Sequence, residues 1–438
     1  MATFARRHGR RRGPACVVIV VGALLAAAGC ASTSRATPAV TDQAGSAAAP
    51  SSRLPTTSDQ AAGTTEPKTA STTTTIASTT HAPTTTVPPT TTTTVPGVYS
   101  YTGVGQLSPA VANAKNYVYV PSNDDGSVTV IDQETMQIVN HYKVGKLVQH
   151  VVASWDLTKL YATVSASNRL VEIDPTTGDM GASIPVAAPY NLYFTPDGTT
   201  AIVMAERLNR MDFYDRLTWK RRFSVNVPCK GVNHADWSTD GAWFLATCEF
   251  SGDLLKVDTA TGSILNVLPL ENGSMPQDLR LAPDGTKFYV ADMEHGCVWI
   301  IDADGTAVIG SIETGVGAHG IYPSRDASLV YVTNRGRMAH NVGRKSRPGE
   351  GSVSVVDPKT DTVVATWQIP AGGSPDMGGV SADGKRLWLS GRYDSEVYVF
   401  DTTTGELLNT IPVPPGPHGL AVFPQPGRYS LGHTGNYR

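Results

Sequence analysis

From about residue 100 onward the chain alternates short apolar runs with polar turns, and one run keeps returning with an aspartate at its end. VTVID, ending at Asp132, is followed by LVEID, MDFYD, LLKVD, VWIID, VSVVD and VYVFD, with the aspartates at 132, 174, 215, 258, 302, 357 and 401. The spacings are 42, 41, 43, 44, 55 and 44 residues. A period in the forties, with alternating apolar runs in each unit, predicts a β-propeller in which each repeat supplies four strands of one blade. Within a unit the order is a first run, a turn, a second run, a loop, the run ending in Asp, a turn, and a last run. The first turns fall at Trp155-Asp156, Asp197-Gly198, Asp240-Gly241, Asp284-Gly285, Arg325-Asp326, Asp383-Gly384 and Pro426-Gly427. Such turns join antiparallel neighbours.

The first Asp-terminated run precedes the first such turn, and the last turn follows the last such run. The chain therefore begins and ends inside one blade. The run at 418–423 is expected to complete the sheet begun at 117–120 and so remove an exposed sheet edge. The run at 429–434 competes with 117–120 for the second position in that blade, and the sequence leaves this choice open. The fold class is all-β, a seven-bladed propeller closed by its two ends, over residues 99–438.

The segments before the propeller differ in kind. Residues 1–29 carry Arg6, Arg7, Arg10, Arg11 and Arg12 ahead of an apolar run at 17–28, a pattern expected of an export signal and too short to span a bilayer stably. The run closes on Ala27-Ala28-Gly29-Cys30, which resembles a bacterial lipobox, although Ala27 stands where leucine is usual. The resemblance implies lipidation at Cys30 and anchoring on the outer face of the cell membrane or envelope. Residues 30–98 are rich in Thr, Ser, Ala and Pro with little apolar surface to bury. They are expected to form a disordered tether with an end-to-end distance of roughly 45 Å.

Tyr331-Val332-Thr333-Asn334, followed by Val353 through Asp357, matches the repeat of the YVTN (YncE-like) seven-bladed propellers. The chain resembles that family over about residues 100–425. The resemblance implies the fold, whereas family members include surface proteins, binding proteins and relatives of lactonases and quinoprotein subunits.

Composition then narrows the chemistry. Of five cysteines, Cys229 and Cys248 flank the Asp240-Gly241 turn at matched distances, which predicts a disulfide in an exported protein; Cys297 is left over. Net charge is -3, so no general nucleic-acid affinity is expected. No Gly-x-Ser-x-Gly, His-Glu-x-x-His, phosphate-loop or Cys-x-x-Cys-His motif is present.

The first run of each blade begins beside the central channel and the second ends there. That places His150, Asn191, His234, Gln277, His319, Asp376 and His418 around one mouth, one from each blade. The nearby Asp236 and the loops bearing Glu206, Arg207, Glu249, Asp292, Glu294, His295, Arg335, Arg392 and His433 join the same face. Mixed Arg, His and carboxylate groups around a concavity suit a small polar or anionic ligand. None of the histidines has tight ligand spacing, and a residue recurring at an equivalent repeat position is commonly a packing device, so no metal ligand is assigned. The long spacing before Asp357 reflects a loop at 335–351 carrying Arg337, His340, Arg344, Lys345 and Arg347, expected to contact an anionic partner such as cell-wall polymer, or to cover the mouth.

The reading that results is a lipid-anchored envelope protein displaying a propeller as a module for a small ligand, a cell-wall polymer or an envelope protein. The alternative is a propeller enzyme, a lactonase-like hydrolase or quinoprotein-type dehydrogenase, for which a metal ion or quinone would be the cofactor. Convergence of His234, Asp236, His319, Asp376 and Arg392 on one pocket favours the enzyme; their splaying around an open channel favours binding.

Overall fold

The structure, a computed structural model, describes residues 97–336, 350–370, 372–433 and 435–438. The expectations at Cys30, the export signal and the basic loop's Arg337, Arg344, Lys345 and Arg347 lie outside them. Seven antiparallel sheets form the propeller, with blades 2 to 7 spanning 148–185, 191–226, 232–269, 276–313, 318–368 and 375–412. Blade 1 combines residues 117–143 with the C-terminal strand Ala421–Phe423, in the register Tyr117↔Phe423, Val118↔Val422 and Tyr119↔Ala421. The ring closes as the order of turns predicts, with Tyr117–Ser122 in the contested second position. Among the described residues no helix is long and apolar enough to cross a membrane.

Each blade grades from the axis outward. The inner strand Val148–Ala153 is buried at every residue, whereas the outer strand Ile138–Lys143 alternates toward solvent. This follows from sheet-on-sheet packing, in which inner strands are covered on both faces and the outermost on one. The seven recurring aspartates turn out to be turn caps. Each carboxylate accepts a backbone N–H two to four residues on, at 2.6 to 3.0 Å, in the hairpin leading to the outer strand. Aspartate does this because its short side chain reaches its own downstream backbone.

Cys229 and Cys248 are disulfide-bonded with Cα atoms 6.0 Å apart. Cys248 lies opposite Val232 in the ladder, so Cys229 makes the bond from the segment just before the strand. Cys297 is free and buried.

The run at 429–434 does not compete for blade 1. Ser430–Gly432 pairs instead with the inner strand Asn191–Phe194 of blade 3, and Asn436–Tyr437 pairs back on it, giving that blade six strands. The base of this hairpin lies at the turn end of the channel, where Ser430 N–H donates to Trp155 O and Arg438 to Ser238 O and Trp237 O. Its tip reaches inward to His433, whose N–H donates to Leu192 O at 3.1 Å. The close approach requires Gly432, at φ +95°, because a Cβ there would collide with the Leu192 carbonyl. The hairpin occupies one end of the channel.

Candidate functional site

A repeated backbone device aims residues at the axis. In blades 2, 4, 5, 6 and 7 the inner strand gains one residue on its neighbour, between Val148 and Val151, Val232 and Ala235, Pro276 and Leu279, Ala318 and Ile321, and Pro375 and Gly378. Such a β-bulge breaks the ladder and re-aims side chains. It also frees a backbone N–H, and in four blades a hydroxyl from the second strand takes it. His150 N–H donates to Thr163 at 3.0 Å, His234 N–H to Thr247 at 3.2 Å, Gly320 N–H to Thr333 at 2.7 Å and Met377 N–H to Ser390 at 3.2 Å. Thr333 is the threonine of the Tyr-Val-Thr-Asn run, so the hydroxyl of that signature pairs a bulge that would otherwise bury an unsatisfied donor.

The bulges, the segment leading into the C-terminal strand and the hairpin tip bring five histidines together: His150, His234, His319, His418 and His433, each at most 2% exposed. Ring centroids are 4.7 Å apart for His234 and His433, 4.9 Å for His150 and His418, and 5.2 Å for His150 and His433. Burial holds all five well below the ordinary imidazole value, so they are neutral near pH 7.

Their partners divide the cluster in two. On one side Asp376 accepts from His418 Nδ1 at 2.7 Å, His319 Nδ1 at 3.2 Å and Arg335 Nη1 at 3.1 Å. Burial alone would raise this carboxyl, but His319 and the Arg335 guanidinium outweigh it and keep it below the usual range. His418 Nε2 then accepts from Tyr190 O–H at 3.2 Å, forming a carboxylate–imidazole–phenol chain. On the other side His433 Nε2 lies 3.1 Å from Asp278 Oδ1, and Asn191 Nδ2 faces His433 Nδ1 at 3.1 Å and His234 Nδ1 at 3.4 Å. His234 Nε2 and both ring nitrogens of His150 are buried without a hydrogen-bond partner.

Above this layer, Glu249 accepts from Asn233 Nδ2 at 2.9 Å and is raised by burial against the opposing pull of Gln277, Arg335 and Arg392. Glu206 is pushed up to about 8 by burial and then by the Glu249 charge. Arg392, half-buried, donates to Gly416 O at 3.4 Å, and Arg335 stacks its guanidinium 5.4 Å from the Tyr393 ring.

Two of the expected residues are engaged by their own surroundings. Asp236 sits deeper, accepting from Leu281 N–H at 2.8 Å and meeting Arg438 and Asn436 of the hairpin. Asp292 caps its own loop, accepting from Met275, Glu294 and His295 N–H groups and from Trp299 Nε1. His234, His319 and Asp376 thus gather in one axial layer without Asp236. Asp278 and Tyr190 escaped notice, because their inward aim depends on the bulge and on the preceding turn, which residue pattern does not mark.

These features define a closed seven-bladed propeller with a polar axial cluster. The YNCE-like beta-propeller family matches residues 90–428, and the chain belongs to that family. It is 29% identical over 150 residues to YncE of Salmonella typhi, an uncharacterized protein, and 28% identical over 149 residues to its counterpart in Salmonella typhimurium. Each match covers 33% of this chain and 38% of the relative. Among solved structures, a functionally unknown protein from Desulfotomaculum acetoxidans has a TM-score of 0.58 at 17% identity, covering 70% of this chain and 99% of its own. A Bacteroides uniformis protein, provisionally assigned as a 6-phosphogluconolactonase, has a TM-score of 0.56 at 18% identity with the same coverage. The dihydro-heme d1 dehydrogenase NirN has 0.52 at 13%, covering 70% of this chain and 74% of its own. At these identities the likeness is one of fold.

Proposed function

We propose that this is an exported, Cys30-anchored envelope protein whose propeller binds a small polar ligand with an anionic group at the open mouth. The observation that carries the reading is the gathering of polar groups above the histidine layer, where Arg392 and Glu206, raised by burial, supply donors and Glu249 an acceptor. A protonated carboxyl can donate to an oxyanion, and a guanidinium pairs with it in a fixed fork. The signal and tether support display outside the cell, with the lipid as membrane partner.

The test is calorimetric titration of the purified protein with a panel of small carboxylates, sugar acids and their lactones. We expect saturable binding of at least one, weakened tenfold or more by Arg392→Gln and by Glu249→Gln; a flat response across the panel rejects the reading. The Tyr190–His418–Asp376 chain favours a second reading, hydrolysis of a lactone with His418 as general base. Turnover abolished by His418→Gln would establish it, and binding without turnover would remove it.

A further inference from the structure

We infer that His234, Asp278 and His433 form a binding site for one divalent transition-metal ion of the zinc class, which ties the C-terminal hairpin to blades 4 and 5. One ligand atom from each lies within 4.8 Å of the other two, and all three residues are buried. The His433 Nε2 to Asp278 Oδ1 separation of 3.1 Å is close to the edge of about 3.3 Å that follows from metal–ligand bonds near 2.0–2.1 Å in a tetrahedron. Two imidazoles and one carboxylate are a donor set that zinc takes in proteins.

An independent observation points to a ligand at this spot. His234 Nε2 is fully buried and has no hydrogen-bond partner, and a buried polar atom left unpaired is destabilising. A metal ion satisfies it. His150, with both ring nitrogens unpartnered, packs 5.6 Å from the His234 ring and 5.2 Å from the His433 ring.

The surroundings divide the work of Asp278. Its Oδ2 accepts from Ile321 N–H at 3.0 Å and has the Arg280 Nε at 3.7 Å, so the Arg280 charge is directed at the oxygen away from His433. Its Oδ1 accepts from Leu279 N–H at 2.9 Å and faces His433. Backbone donors thus fix the carboxylate, as supporting groups do around metal ligands. His433 holds a left-handed backbone, φ 54°, a conformation uncommon outside glycine that persists where surroundings enforce it. Because His433 comes from the hairpin tip, the site exists only when the hairpin is docked, and bound metal would lock the plugged state.

The experiment is elemental analysis and native mass spectrometry of the full chain folded in the presence of Zn2+, then passed through EDTA. We expect about one zinc per chain, retained because the site is closed to solvent. Asp278→Asn and His433→Gln should each lower zinc content tenfold or more, while His319→Gln, outside the ligand set, should keep it. Zinc below a tenth of an equivalent in the wild type, or unchanged content in both ligand variants, overturns the site. Should the variants not fold, the wild type refolded with Co2+ decides: a visible absorption band of tetrahedral cobalt supports the site, and its absence rejects it. None of these readouts involves Arg392 or Glu249, so a failure here is distinguishable from a failure of the mouth to bind ligand.

Discussion

The rim and the axis of this propeller are built from the same repeats and have opposite characters. At the rim, seven aspartates perform one task in seven turns, partly exposed and interchangeable in role. Along the axis, the inner strands present His150, Asn191, His234, Asp278, His319, Asp376 and His418, and not even from one position of the bulge: His150, His234 and Asp278 come from its second residue, His319 and Asp376 from its first. A repeated scaffold needs uniformity only where it turns the chain. The bulges decouple the inner residues from the ladder, so the axis can vary without disturbing the blades.

Acid should separate the two regions most sharply. The five axial histidines are depressed by burial, so in the folded state they stay neutral while the unfolded chain takes up protons near pH 6.5. The unfolded state then binds more protons, and stability falls as pH drops through that value. Between pH 7.5 and 5.5 the loss summed over five groups is at most about 7 kcal/mol, read by urea unfolding at each pH. Asp278, Asp376, Arg280, Arg335 and Arg392 face these rings, while Glu206 and Glu249, raised by burial, act in the opposite sense and reduce the total. Rim carboxylates such as Asp174 and Asp401, held low by hydrogen bonds from the turn, contribute stability above the ordinary carboxylate value that is lost only as pH falls below it. Stability unchanged from pH 7.5 to 5.5 would show the axis to be hydrated and would erase the contrast.

Asp376→Ala is expected to be the costliest single change. It strips the partner from a buried Arg335 guanidinium and from His319 and His418, and breaking a buried ion pair from one side costs about 3–5 kcal/mol. At the rim, Asp401→Ala removes one cap from the Thr403 and Thr404 N–H groups, both open to solvent, and should cost about 1 kcal/mol. Equal losses in the two unfolding curves would contradict the division drawn here.

Much of the rim was legible in the chain. Asp132 through Asp401 count the blades, because a turn that must accept its own backbone N–H groups calls for aspartate each time. Ring closure followed from the order of turns and strands, and the disulfide from the placement of Cys229 and Cys248. The axis was legible only as a list of residues. His150 and Asp376 could be assigned to the channel by position, but a bulge leaves no mark in the alternation of apolar and polar residues. Asp278 therefore passed as the polar neighbour of Gln277. The run at 429–434 reads as a strand, yet alternation does not say which free edge it joins. That edge is Asn191–Phe194, whose ladder with blade 3 has no bulge and whose other side faces the axis.

The smallest effect expected is at the junction of the two regions, where the mouth meets solvent. Glu206, raised to about 8 by burial and the nearby Glu249, stays protonated in the folded protein while the unfolded chain ionises near 4.5. Between these values the folded state binds more protons, so Glu206 lowers stability progressively as pH rises from about 4.5 and stops doing so above about 8. Glu206→Gln keeps the hydrogen-bonding shape and removes the titration. The variant should match wild type near pH 4, gain on it through neutral pH, and hold a constant advantage above pH 8, the reverse of the slope set by the histidines. Because Glu206 is only partly shielded by the protein surface, the gain will be a small fraction of the histidine effect, best read as the pH dependence of the difference in urea midpoint between the two proteins. A difference flat with pH would place Glu206 in ordinary solvent and take away the neutral donor on which the anion-binding mouth depends.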